Sequence, residues 1–135
     1  MEQKRAKELA IIANKVRKNA ITAVYSAASG HPGGSLSIAD LVTYLYCEVM
    51  NVDPKNPKMA DRDRLVLSKG HTCPALYSIL AYKGFFPEED LVTFRKSDSY
   101  LQGHPDMNKV PGIDMSTGSL GQGISAAGGM ALSAK

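Results

Sequence analysis

No stretch of this 135-residue sequence is long and apolar enough to span a bilayer, which argues against a membrane partner. The opening segment MEQKRAKELAIIANKVRKNA is basic, but Glu2 and Glu8 interrupt its charge. No apolar run or small-residue cleavage site comes after it, so it does not read as a targeting signal. Cysteine is scarce. Cys47 and Cys73 form neither a CxxC pair nor a disulfide framework, and they read as reduced thiols in a cytoplasmic protein. Cys73 stands near His71, yet a lone cysteine beside a histidine is more often a small packed residue than a metal ligand. The 16 basic residues are spread along the chain at a net charge of +3, whereas a nucleic-acid footprint would gather them on one stripe. No short histidine or cysteine ligand pair suggests a metal site among these residues. No nucleophile–base pair, internal repeat or low-complexity tract stands out.

What is present is a packed core and a set of loops. The chain is 44% hydrophobic, which excludes a disordered segment, and its length is that of about one domain. Leu9, Ile12, Val16, Ala20 and Val24 recur at helical spacing and predict an amphipathic helix over 4–27. ASGHPGG then breaks it. Ser37 and Asp40 stand at capping-box offset before a second predicted helix over 38–50. LVLS, residues 65–68, is the single candidate for a buried strand. CPALYSILAYKG predicts a helix with Pro74 early and Gly84 at its stop. Pro87 opens a short helix through Arg95, residues 96–117 read as loop, and GQGISAAGGMALSAK predicts a last helix running to Lys135. One strand cannot satisfy its own backbone groups. The expectation is an α/β fold, mostly helical with one early parallel-type strand, whose further strands lie beyond Lys135.

The chain has three histidines, His31, His71 and His104, and each directly follows a glycine. Glycine gives the loop freedom and removes a side chain that would crowd a ligand, and proline stiffens the loop after two of the imidazoles. Against this, histidine and glycine both favour turns. His71 directly follows the candidate strand, where open α/β sheets bind ligands, with Lys69 as a neighbour for an anion. A second candidate is STGSLGQG, whose glycines are neither the dinucleotide fingerprint nor a P-loop. Such a turn lets backbone atoms touch a ligand. Ala126, Ala127, Gly128 and Gly129 support the other reading, a helix that needs small residues for close packing. A three-histidine metal protein is a weaker third reading.

SGHPGGSLSIADLV, DRDRLVLSKGHTCPALY, LQGHPD and PGIDMSTGSLGQGISAAGGMALSAK together resemble the N-terminal part of transketolase, in the family's order. The resemblance is nearest to small transketolases made as separate N-terminal and C-terminal subunits, with a one-chain enzyme as the other form. Deoxyxylulose-phosphate synthases share the cofactor but differ around the second histidine. The resemblance implies that residues 1–135 are the front of a thiamine-diphosphate-binding domain, incomplete at its C-terminal end. It implies thiamine diphosphate with Mg²⁺, and transfer of a two-carbon ketol unit between sugar phosphates. It places His71 at the cofactor diphosphate and His31 and His104, as catalytic residues, at the donor sugar's carbonyl and hydroxyls. Gly118, Ser119 and Leu120 match the turn that meets the aminopyrimidine. The family's metal motif, Gly-Asp-Gly followed by Asn, falls after the segment that matches here, so the Mg²⁺ ligands are expected beyond Lys135. The glutamate that activates the aminopyrimidine comes from a partner, in a homodimer or a heterotetramer with a C-terminal subunit. The chain alone is therefore expected to be inactive. The alternative is a non-catalytic assembly or binding module of the same fold.

Overall fold

The computed structural model describes residues 2–134. Its centre is a helix that has no polar face. In α4 (Cys73–Lys83) every residue from 73 to 81 is buried, and a helix apolar on all sides must be surrounded. Pro74 sits in its first turn, and Gly84, with φ of 90°, closes it in the left-handed conformation. The long α1 (Gln3–Ser26) packs along α4. It buries Leu9, Ala13, Val16, Ala20 and Ala23, a stripe with alanine at three of five places, which permits close helix approach. The predicted stripe is rotated slightly, and Ile12 and Val24 lie at its half-buried margin. Phe86, Leu91, Phe94 and Leu101 complete the core, packed against both α1 and α4 through the segment after Pro87.

SGHPGG does more than break a helix. Pro32 starts α2 (Pro32–Leu36), with His31 at its N-cap. The expected capping box is therefore absent. Ser37 ends α2 rather than opening the next helix, its hydroxyl donating to Gly34 O at 3.0 Å. Asp40 pairs with Arg17 across to α1. The second predicted helix forms as α3 (Ala39–Tyr44) continued by a π-helical turn, Leu45–Val49. The short helix after Pro87 is 3₁₀, Glu88–Thr93, and α5 (Gly123–Ser133) ends one residue before Ala134. The predicted run to Lys135 extends outside the described residues.

Among the described residues there is no strand, and residues 65–68 carry no regular structure. Three of their backbone groups bond to loops instead. Leu65 N–H donates to the Asp114 carboxylate, Leu67 O accepts the Thr117 hydroxyl, and Ser68 O accepts Gly121 N–H, at 3.0, 2.8 and 2.9 Å. No helix among the described residues is long and apolar enough to cross a membrane.

Candidate functional site

Each histidine is carried by an element anchored on α4. His71 lies on a 3₁₀ turn, Gly70–Thr72, that runs directly into α4. His31 caps α2, and the buried Ser35 hydroxyl lies 3.0 Å from His31 O and 3.3 Å from Thr72 O, so one side chain staples the two loops. The two imidazoles meet edge to face with centroids 4.8 Å apart. His104 is exposed, but its backbone is held from behind. Tyr77 of α4 places its hydroxyl 2.9 Å from Gln102 O and 3.1 Å from His104 O.

Cys73 adds a contact to Gln102 O, and burial pushes its thiol up to about 12. It is a packed residue. Burial also pushes the Tyr77 hydroxyl up, keeping it a donor. Tyr77→Phe is expected to cost about 1–3 kcal/mol, because it removes the hydroxyl from the Gln102 and His104 carbonyls and leaves Gln102 O only its Cys73 contact, read from the denaturation midpoint of the assembled protein.

The protein's own packing accounts for the glycines before the histidines. A Cβ at Gly30, where φ is +146°, would stand 2.9 Å from Val24. One at Gly70 would stand 2.6 Å from Thr117 O, and one at Gly103 would stand 2.8 Å from Arg95 Nε. These contacts close a circuit. Thr117 seats the glycine-rich turn on the His71 loop, Gly118 of that turn lies beside the His104 ring, and Arg95 links the His104 loop back toward α2.

Two clefts share Ser116 and Thr117 as a wall. One, of about 580 Å³, is bordered by His104 and Asp106. The other, of about 220 Å³, runs from Met115 past Gly118 and Ser119 to Ala126. Leu120, expected with them, is 70% exposed, and neither cleft takes its side chain as lining. Neither cleft is lined by His31 or His71. Lys69 does not face outward toward a ligand as its place in the sequence suggested. Its ammonium donates to Gly34 O at 2.8 Å and Ser37 Oγ at 3.0 Å, tying α2 to the His71 turn.

The charge state of His71 is set by its surroundings. Partial desolvation, and then His31, His104 and Lys69, hold His71 below its ordinary value. These three neighbours all act on it as cations. Among the described residues, no three His, Cys, Asp or Glu side chains group as metal ligands. Sequence reasoning missed Ser35, Tyr77, Arg95 and Thr117, which build the site without being chemically conspicuous. Only Tyr77 carried a signal, a large side chain with a hydroxyl in a mostly apolar helix.

Comparison with known proteins agrees with this geometry. The family described as Transketolase, thiamine diphosphate binding domain, matches residues 8–135. The chain is 53% identical over 120 residues to the 6-deoxy-6-sulfo-D-fructose transketolase subunit SqwG of Clostridium sp. strain MSTE9, covering 89% of this chain and 44% of that one. It is 46% identical over 127 residues to one subunit of the apulose-4-phosphate transketolase of Phocaeicola vulgatus, covering 94% and 45%. The solved transketolase from Leishmania mexicana superposes with a TM-score of 0.88 at 38% identity, over 92% of this chain and 19% of that chain. The chain thus spans less than half the length of each of these relatives.

Proposed function

Because the chain belongs to the transketolase family through its thiamine diphosphate binding domain, we propose that it supplies the diphosphate-side half of an active site that moves a two-carbon ketol unit from a ketose phosphate to an aldose phosphate. What supports this reading is the contact between the His31 and His71 rings, joined through the glycine-rich turn to the His104 ring, on a face where His31, His104 and Lys69 all act as cations on His71. Such a face fits an anionic diphosphate. His71 would hold the diphosphate, and backbone groups at Gly118, Ser119 and Leu120 would approach the aminopyrimidine. Bound thiamine diphosphate supplies the electron sink. His31 and His104 would orient the sugar's carbonyl and hydroxyl oxygens and hold or release protons there, the general acid–base work that histidine most often does.

The described residues do not supply a ligand set for Mg²⁺, so no step is assigned to it; its ligands would lie outside residues 2–134. Within the same reading, residues 65–68 form a parallel strand once neighbouring strands of the domain lie beside them. A partner subunit completes the site in a homodimer or heterotetramer, in the cytoplasm. The relatives' names guide the substrate panel: xylulose 5-phosphate, 6-deoxy-6-sulfofructose and apulose 4-phosphate as donors to an aldose phosphate. Transfer from at least one by the assembled protein is the expected result. Bound thiamine diphosphate with no transfer from any donor would favour the non-catalytic module.

Binding should also take up a proton. Partial desolvation, and then the neighbouring cations, hold His71 below its usual value, and an anion beside it opposes both and raises it. In the window between the lowered value and the ordinary value of about 6.5, free His71 is neutral and bound His71 is more protonated, so affinity rises as pH falls through that window. Calorimetry in two buffers of different ionisation enthalpy should show net proton uptake. Proton release would place the diphosphate away from His71.

A further inference from the structure

We propose that Arg95 is a positioning residue that sets the separation of the His31 and His104 loops. This rests on the reading above, in which both imidazoles serve one bound sugar. Arg95 follows the 3₁₀ segment Glu88–Thr93 and adopts φ of 62°, left-handed backbone that is rare for a residue with a side chain. Its N–H donates to Leu101 O at 2.9 Å, fixing the strand of loop that leads to His104. Its guanidinium donates through Nη1 to Ser29 Oγ at 2.6 Å, two residues before His31. The same group fills the space at Gly103, where a Cβ would lie 2.8 Å from Nε and 2.9 Å from Nη2. Its Cζ stands 5.5 Å from the centroid of the buried Phe94 ring.

The side chain is thus fixed on three sides: an aromatic face beneath, the His31 loop at one end and the His104 loop against its edge. Strained backbone persists where surroundings over-determine it, and it concentrates at functional sites. Nε is buried without a hydrogen-bond partner, so the group is retained at a cost to its own satisfaction. A planar guanidinium can lie flat between a ring and a glycine while still reaching Ser29; a lysine ammonium on a flexible stem cannot.

The test uses the assembled protein loaded with thiamine diphosphate and the donor that it turns over fastest. Arg95→Gln and Gly103→Ala, which disturb the contact from opposite sides, are expected to lower kcat about 10–100-fold with KM little changed, the scale of a small misplacement of reacting groups. Arg95→Lys and Ser29→Ala should give smaller losses of the same kind, and Ser29→Ala should add nothing to Arg95→Gln. A readout independent of turnover is the imidazole ¹H–¹³C signals of His31 and His104. Both should shift in Arg95→Lys and in Ser29→Ala, the mild variants expected to fold. Wild-type kcat with unmoved His31 and His104 signals would overturn the proposal, as would full additivity of Ser29→Ala and Arg95→Gln. Shifted signals together with undiminished turnover in His104→Ala would leave the strut standing and remove the catalytic reading of His104.

Discussion

In the assembled protein, His104→Ala is expected to lower kcat for ketol transfer by about 10²–10⁴-fold, the range for loss of a general acid–base group, while thiamine diphosphate affinity stays near wild type. The structure separates the ring from its scaffold. His104 is exposed at the edge of a cleft of about 580 Å³, whereas the backbone beneath it is held by the Tyr77 hydroxyl. Removing the ring therefore leaves the scaffold's bonds in place, and the stability change should stay within about 0.5 kcal/mol, as for an exposed side chain. His71→Ala should show the opposite split. It should weaken thiamine diphosphate binding about 10–100-fold, the scale of a hydrogen bond to a charged group, with the remaining loss following cofactor occupancy. Saturating the cofactor restores His71→Ala and not His104→Ala if the roles are right. Equal turnover in His104→Ala and the native protein would remove the catalytic assignment.

The helices were legible because their signals are local. The α1 stripe and the Pro74–Gly84 bracket of α4 depend on neighbours three or four residues apart, and both formed close to where spacing put them. The three glycine–histidine pairs were legible as loops. Why they carry glycine was not, because the reason lies across the fold: Val24, Thr117 and Arg95 are the atoms that a Cβ would strike. Residues 65–68 have a strand's composition, but a strand is defined by a ladder, and the described residues offer loop donors and acceptors in its place. The capping box failed for a similar reason. Ser37 and Asp40 have the right spacing, but the one already ends α2 and the other is engaged by Arg17. Nothing local marks Arg95 or Ser35 as site residues; their roles exist only once α2 and the loop before His104 have been brought together over α4.

The largest expected loss of stability is at a residue far from the imidazoles. Asp114 and Arg62 form a nearly buried pair, with side chains 6% and 16% exposed. Asp114 Oδ1 accepts from Arg62 Nε at 2.9 Å and lies 2.8 Å from Nη2, while Oδ2 accepts the Leu65 N–H at 3.0 Å. Asp114→Ala strips the charge from one side, leaving the Leu65 N–H without its acceptor and Arg62 with only the Met59 carbonyl. Breaking a buried pair in this way costs about 3–5 kcal/mol, and Arg62's residual exposure favours the lower end. The effect should reach the site, because Asp114 begins the path to Thr117, whose carbonyl rests against Gly70 beside His71. The assembled Asp114→Ala protein should therefore unfold at lower denaturant and also bind thiamine diphosphate more weakly. Adding Arg62→Met removes the stranded cation and should recover part of the stability, since a buried pair is often replaceable by apolar groups though not breakable from one side. A single variant as stable as the native protein, or a double variant losing the full sum, would show that this pair does not anchor the turn.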